Sequence, residues 1–146
     1  MRSVGMQVTA KAEYALRAAT MLASSGPGPV KSEAIAAAQG IPLRFLHNIL
    51  AALTRAGILT SLRGADGGYE LTRAPAAITV ADVIRAVEGP FAAGGGPDTL
   101  VADTALRRVW ALVRANERAV LEAVTVADLA AGRLPDLSSI GGAAQD

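Results

Sequence analysis

The sequence contains no cysteine and a single histidine, His47, among its 146 residues. A chain without cysteine forms no disulfide, offers no thiolate ligand to zinc and has no cysteine nucleophile. One histidine cannot build a histidine metal site on its own. We therefore predict a protein with no metal site.

Aromatic residues and long apolar runs are also scarce. Aromatics make up 3% of the chain while 51% of its residues are hydrophobic, so the core must come from alanine, valine, leucine and isoleucine. This composition favours closely packed helices in one domain with a helical extension. No stretch approaches the roughly 20 apolar residues that cross a bilayer, and charges interrupt the N-terminal segment, unlike a secretion signal. We expect a cytoplasmic protein with no membrane partner.

Charge is distributed unevenly along the chain. The net charge is +1, but residues 1–75 carry eight lysines and arginines against four acids, and residues 76–146 carry six arginines against nine acids. A basic N-terminal half points to a polyanionic partner. Catalytic groups are missing, because GGGPD at 94–98 lacks the lysine and hydroxyl residue of a phosphate-binding loop and no Ser-His-acid arrangement stands out. We predict no catalytic residues and no enzyme.

Three helical patterns fill the first part of the chain. Apolar residues recur at helical spacing over 9–24, with Thr9 as a candidate N-cap, and SSGPGP breaks the pattern. A short helix is predicted over 32–40 and a third, with a continuous apolar face, over 42–56. Two helices joined by a tight glycine-containing turn outline a helix-turn-helix.

A hairpin follows this outline directly. Residues 58–62, ILTSL, and 69–73, YELTR, alternate apolar and polar side chains, and RGADGG lies between them. Gly64, Gly67 and Gly68 at the tip accept unusual backbone angles at little cost. A hairpin in this place is a wing. The predicted fold is mainly α with a small β-hairpin, a winged helix-turn-helix followed by a long dimerisation helix.

The remaining chain combines short helices with one long helix. TVAD begins a short helix at Thr79 and another at Thr125, each with an aspartate at capping-box spacing. A flexible connector is expected at 91–98, FAAGGGPD, and the longest helical pattern runs over about 99–124. The predicted regions are a winged helix-turn-helix at 1–78, a short helix and connector at 79–98, the long helix and terminal short helix at 99–137, and a disordered tail at 138–146.

The long helix predicts a homodimer. At about 1.5 Å per residue it measures about 40 Å, and one small domain does not cover such a rod. A two-fold pair of chains with this helix at the seam does. The predicted interface residues are Leu106, Val109, Trp110, Val113, Val120 and Val124. Trp110 has an alternative role as a platform for a ligand, which is less favoured than an ordinary core or interface position.

Four segments resemble the Rrf2 family of bacterial winged-helix regulators, the group that includes the IscR and NsrR types. They are VTAKAEYALRA, IPLRFLHNILAALTRAGIL, SLRGADGGYELTRAP and ITVADVIRAVEGP, and the similarity covers about residues 7–130. Its most specific element is RG followed by GGY, with a short helix that ends in EG about 20 residues later. The resemblance implies a dimeric transcriptional repressor that binds an imperfectly palindromic operator in double-stranded DNA.

The resemblance and the helix pattern together give candidate DNA contacts. Arg44, His47 and Asn48 project opposite the apolar stripe of the third helix, where arginine suits guanine and asparagine suits adenine. Arg63 at the mouth of the wing suits a narrow minor groove. The full predicted set is Lys11, Tyr14, Ser32, Pro42, Arg44, Phe45, His47, Asn48, Arg55, Arg63, Gly64, Gly67 and Gly68.

Several of these candidates have a plainer alternative. Arg63 fits a solvated surface turn, Tyr14 fits the edge of the core, and Ser32 fits a helix cap. His47 has three alternatives: contact with a base or phosphate, titration near physiological pH, or a solvated helix face.

The sequence departs from the resemblance at one point. Many relatives bind an iron–sulfur cluster through three cysteines before the long helix, whereas the interval here is FAAGGGPDTLVADT. Carboxylates do not replace soft thiolates around such a cluster, so we expect no cofactor. Control by a small molecule, by a protein partner, or by abundance alone all stay open. The rival function is a winged-helix protein-interaction module with little DNA binding, which would be expected to lack the basic residues Arg44, Arg55 and Arg63.

Overall fold

The computed structural model describes residues 9–89 and 104–140. Its elements, in chain order, are α1 (Ala10–Ser24), α2 (Ser32–Gln39), α3 (Leu43–Arg55), β1 (Leu59–Leu62), β2 (Gly68–Leu71), a 3-10 turn (Pro75–Ala77), α4 (Val80–Glu88), α5 (Thr104–Ala123) and α6 (Val126–Ala131). The predicted connector at 91–98 and most of the predicted tail lie outside the described residues. The mainly helical fold with one antiparallel hairpin confirms the predicted fold class.

Small and branched aliphatic side chains make the core, as the composition predicts. The inward face of α1 is built from alanine, and α3 and α4 both pack against this helix. Alanine is small enough to let helix backbones approach closely. The larger core side chains of α3 fill the centre of the fold. These inward residues are Ala12, Ala15, Ala18 and Ala19 of α1 and Leu46, Ile49, Leu50 and Leu53 of α3.

The first three helices begin and end close to their predicted positions. The Thr9 hydroxyl accepts a hydrogen bond from the Ala12 amide at 3.0 Å, so Thr9 is the N-cap of α1 as predicted. Gly40 is the C-cap of α2, and Pro42 immediately precedes α3. Ser32 is the first residue of α2 rather than its cap, because Lys31 holds the capping position without a side-chain hydrogen bond.

The wing is joined to the helix-turn-helix through its second strand. β1 and β2 pair antiparallel, with Leu59 opposite Leu71. The other edge of β2 pairs with Val30: the Val30 amide donates to the Tyr69 carbonyl at 2.9 Å, and the Tyr69 amide donates to the Val30 carbonyl at 2.8 Å. Val30 lies just before α2, so these two bonds hold the wing against the start of the helix-turn-helix.

Both TVAD segments form a capping box, as predicted. The Thr79 hydroxyl accepts from the Asp82 amide at 3.0 Å, and the Asp82 carboxylate accepts from the Thr79 amide at 2.9 Å. Thr125 and Asp128 make the same pair of bonds at 3.1 and 2.9 Å. Each box satisfies two amides that the first turn of a helix would otherwise leave unpaired.

The two capping boxes also lie side by side. The Val80 amide donates to the Val124 carbonyl at 2.9 Å, and the Val126 amide donates to the Ile78 carbonyl at 2.8 Å. This backbone pairing joins the start of α4 to the link between α5 and α6. Val124, one of the predicted interface residues, is only 6% exposed and lies in the core of its own chain, beyond the end of α5.

Among the described residues, α5 is a rod that packs against the rest of the chain near its C-terminal end. Its 20 residues span about 30 Å, and none of them is buried. It packs against α4, where an Arg85 Nη1 atom lies 3.2 Å from a carboxylate oxygen of Glu122. The described helix begins at Thr104, so the first five residues of the predicted helix lie outside the described residues.

Replacing Gly68 with alanine is expected to destabilise the protein. Gly68 has a φ of +148°, and an added Cβ would lie 2.6 Å from the carbonyl carbon and oxygen of Val30. We expect the free energy of unfolding to fall by more than about 1 kcal/mol, measured by chemical denaturation. Gly64→Ala is the control, because Gly64 also has a positive φ, +101°, but open space around it. Equal losses in the two variants would contradict a role for the close approach to Val30.

Acid is expected to weaken the start of α4 through Asp82. Burial opposes ionisation of this carboxyl, but the Thr79 amide and the Arg85 guanidinium outweigh burial and lower its pKa below the ordinary 3.8. Because the pKa is lower in the folded chain, the ionised carboxylate stabilises the fold above that ordinary value and loses this effect as the pH falls through the folded value. Asp82→Asn is therefore expected to be less stable at neutral pH and to change less than the wild type below about pH 4. Denaturant unfolding over a pH series measures this, and parallel curves would refute it.

Candidate nucleic-acid interface

The outward face of α3 carries the predicted base-contacting side chains. Arg44, His47 and Asn48 are all exposed. Leu46 and Ile49 are fully buried on the opposite face. With 3.6 residues per turn, residues 44, 47 and 48 share one side of the helix. The structure therefore brings these three predicted residues together on an open surface.

The ends of α3 extend this surface. Pro42 is exposed just before the helix, and Arg55 is exposed at its last residue. Ala51 is exposed one turn after His47 and carries only a methyl group. The surface thus carries an arginine near each end, Arg44 and Arg55, and only a methyl group between them at Ala51. This shape permits a close approach by a groove of DNA.

Phe45 and Tyr14 connect α3 to α1. Their rings pack edge to face with centroids 5.7 Å apart and an interplanar angle of 80°. Both side chains are half-buried and lie against the core. The structure therefore places Tyr14 at the edge of the core. The Phe45 ring packs on Tyr14 and so helps to fix α3 against α1.

Arg17 belongs to this contact and is absent from the predicted set. Its guanidinium carbon lies 5.5 Å from the centroid of the Tyr14 ring, a cation–π arrangement. Lys11, which is half-buried, and Arg17, which is exposed, lie three residues before and after Tyr14. That spacing puts all three on one face of α1, and the same spacing could have pointed to Arg17 in the sequence.

Ser32 is buried, with 8% of its surface exposed. Its hydroxyl oxygen lies 3.2 Å from Nε2 of His47 and 3.3 Å from a carboxylate oxygen of Glu33. The side chain therefore faces α3. Lys31, beside it, is exposed and precedes α2, a position from which basic side chains commonly contact phosphates.

The tip of the wing presents Arg63 to solvent. Arg63 and Gly64 are exposed, and the Gly67 amide donates to the Gly64 carbonyl at 3.0 Å to close the turn. A Cβ on Gly67 would lie 2.1 Å from the carbonyl oxygen of Leu62, so only glycine fits there. Together with Gly68, which lies against Val30, these glycines shape the hairpin that carries Arg63.

α5 presents apolar side chains that the described part of the chain leaves exposed. Val109 is 48% exposed and Leu112 is 54% exposed. Trp110 and Val113 are half-buried. Of the predicted interface set, Leu106 and Val120 are also exposed, while Leu112 was not predicted although it lies three residues after Val109. The face therefore includes five of the six predicted residues and adds Leu112.

A groove of about 500 Å³ lies between α1 and α6. Leu16 and Met21 of α1 and Leu129 of α6 line it, together with the charged residues Glu13 and Arg17. Trp110 is not among its lining residues. Within 9–89 and 104–140, no three histidine or acidic side chains are grouped to hold a metal ion. No helix in the described part of the chain is long and apolar enough to cross a membrane.

Comparison with known sequences gives a consistent result. Residues 8–132 match the Rrf2 family, described as an iron-dependent transcriptional regulator. An HTH-type transcriptional regulator of Mycobacterium tuberculosis is 44% identical over 142 residues, which cover 90% of this chain and 85% of that protein. The HTH-type transcriptional regulator CymR of Bacillus subtilis is 35% identical over 128 residues, with 86% and 90% covered.

Solved structures agree with the sequence comparison. The structure of CymR, the global cysteine regulator of B. subtilis, superposes with a TM-score of 0.80 at 33% identity, covering 87% of this chain and 98% of that one. The structure of T. potens IscR superposes with a TM-score of 0.74 at 34% identity, covering 87% and 88%. The two sequence relatives are both named as transcriptional regulators. The chain belongs to the Rrf2 family and is a DNA-binding, winged helix-turn-helix transcriptional regulator.

Proposed function

We propose that the protein is a homodimeric repressor that binds a palindromic operator, with α3 of each protomer in the major groove and each wing in the adjacent minor groove. The observation that carries this proposal is the pairing of an exposed polar face on α3 with Arg63 at the tip of a wing fixed to the same helix-turn-helix. Each half of the palindrome then receives one helix and one wing.

The side chains on α3 suit base recognition. Arg44 can bond the O6 and N7 acceptors of guanine, and Asn48 can bond N6 and N7 of adenine. Arg55 at the end of the helix and Lys31 before α2 suit phosphates, which fix the orientation of the protein without specifying sequence.

Arg63 suits the minor groove. A narrow minor groove concentrates negative potential and attracts an inserted guanidinium. Gly64 follows Arg63 and has no side chain, so the backbone of the tip can approach the DNA closely. Sequence preference under the wing then comes mainly from groove width.

The exposed apolar side of α5 supports the homodimer. Leu106, Val109 and Leu112 leave a long apolar surface in water, which a second copy of α5 related by a two-fold axis would cover. A two-fold pair places its two recognition helices about 34–36 Å apart, one turn of DNA or a multiple of it. Repression follows if such a dimer occupies the site at which RNA polymerase binds. A regulator of this kind acts on DNA in the cytoplasm.

We also propose that DNA binding needs no iron–sulfur cluster, although the family is described as iron-dependent. The chain has no cysteine, and the ring Nε2 of its single histidine faces Ser32. This donor set does not fit a cluster that depends on soft thiolate ligands. Control through a small molecule, a protein partner or protein abundance remains compatible with the proposal.

Arg63→Ala is expected to weaken binding to duplex DNA and to lower the slope of log affinity against log salt by about one. The loss of one minor-groove cation is the physical reason. Titrations of a labelled duplex at several salt concentrations measure both quantities. Arg133→Ala, which removes an exposed arginine beyond α6, is the control and should leave affinity unchanged. An Arg63→Ala protein with wild-type affinity and slope would remove the wing from the mechanism.

Leu112→Glu is expected to convert the dimer to monomers, because it places a charge on the exposed apolar side of α5, near the middle of the helix. Sedimentation velocity measures the change, and operator affinity should fall with it. Leu134→Glu is the matched control: Leu134 is 68% exposed and lies outside α5. If the Leu112→Glu protein still sediments with the mass of a dimer, this face of α5 is not the dimer interface.

A further inference from the structure

Three polar groups in contact join α2 to the exposed face of α3 that carries Arg44, His47 and Asn48. His47 is exposed on α3, and its Nε2 atom lies 3.2 Å from the hydroxyl oxygen of Ser32. The same hydroxyl lies 3.3 Å from a carboxylate oxygen of Glu33, and Ser32 itself is buried. We propose that Ser32 and Glu33 determine which base edge His47 recognises, by fixing the proton on one nitrogen of its ring. This inference rests on the proposed placement of α3 in the major groove.

The direction of the hydrogen bonds follows from the chemistry of the groups. An ionised carboxylate only accepts, so the Ser32 hydroxyl must donate its one hydrogen to Glu33. The hydroxyl oxygen then accepts, and the donor has to be Nε2–H of His47. The reverse direction would leave a serine lone pair facing a carboxylate. Bonds aligned head to tail in this way also strengthen one another.

The fixed proton decides what His47 offers to DNA. A neutral imidazole has one N–H and one acceptor nitrogen. With Nε2–H engaged by Ser32, Nδ1 is the acceptor that the exposed ring keeps. In the major groove the donors are the amino groups of adenine (N6) and cytosine (N4), whereas guanine and thymine present carbonyl acceptors there. His47 therefore selects an amino-bearing base.

Ser32 is thus a positioning residue and not a DNA contact. Its hydroxyl is buried between α2 and α3, so it acts on DNA only through His47. Arg44, one turn earlier on the same face, is a pure donor and selects acceptor-rich guanine. At neighbouring positions of a half-site, Arg44 therefore recognises hydrogen-bond acceptors and His47 recognises a hydrogen-bond donor.

The test compares base preferences of variants on a set of duplexes with every base at every operator position. The position contacted by His47 is the one whose preference changes in His47→Ala. The wild type is expected to favour adenine or cytosine there by about fivefold or more over guanine and thymine. Ser32→Ala should lose this preference at the same position, and Ser32→Thr, which keeps the hydroxyl, should retain it. Ser61→Ala, an exposed serine on β1, is the control.

The double variant Ser32→Ala/His47→Ala separates positioning from folding. If Ser32 acts through His47, the double variant has the same base preferences as His47→Ala alone. Wild-type base preferences in Ser32→Ala would overturn the proposal. So would a double variant whose preferences differ from those of His47→Ala at positions across the whole operator. If neither His47→Ala nor Arg44→Ala alters any preference, the placement of α3 in the major groove fails instead.

The single histidine allows a direct second measurement. The ¹⁵N spectrum of the imidazole in slightly alkaline buffer contains signals from one ring only, because the chain has one histidine. The expected spectrum of the wild type has the proton on Nε2. A proton on Nδ1 would overturn the proposal, because the ring would then offer a donor to the base.

Discussion

Two backbone hydrogen bonds between Val30 and Tyr69 set the geometry on which the DNA-binding half depends. They tie the wing to the residues just before α2, and α2 packs against α3. The wing and the helix-turn-helix are thereby held in one fixed relation. The bonds involve main-chain atoms only, so they tolerate many side chains at these two positions. They do not tolerate one at Gly68, where the backbones come too close together.

α3 separates stability from recognition by placing them on opposite faces. Its buried leucines and isoleucine contribute the apolar surface that drives folding. Its exposed residues contribute little to that energy and are free to match a DNA sequence. The edge-to-face contact of Phe45 with Tyr14 adds a lateral restraint on the helix without using its polar face. A change of operator can therefore evolve on this helix at little cost in stability.

Local patterns made much of this architecture predictable from the sequence. The helices, the wing and the capping boxes were predicted correctly because each depends on interactions between residues close together in the sequence. These local signals are the 3.6-residue and two-residue periodicities, the cap at Thr9, the glycine-rich tip and the two TVAD segments. Predictions that depended on distant neighbours were less successful. Val124 continues the apolar spacing of α5 but is turned into the core by its pairing with Val80. Ser32 is the first residue of α2, and its hydroxyl faces His47 on α3, a contact that local spacing does not indicate.

The same limit explains the residues that were missed. Arg17 belongs to the interface region because Tyr14 offers the face of its ring, a contact that spacing alone indicates but does not establish. Leu112 lies on α5 between predicted positions and became evident only once the exposure of the helix was known. Periodicity identifies a face of a helix, but the width of that face depends on what the rest of the chain covers.

The paired capping boxes form the joint at the C-terminal end of α5. Its far end lies about 30 Å from that joint, so a tilt of about 10° there would carry the end through about 5 Å. In the proposed two-fold dimer, that displacement would occur in both protomers and change the distance between the two α3 helices. The helical pitch of DNA, which this distance has to match, stays constant. In the homodimer proposed above, the backbone pairing of Val80 with Val124 and of Val126 with Ile78 would therefore help to set the distance between the two α3 helices.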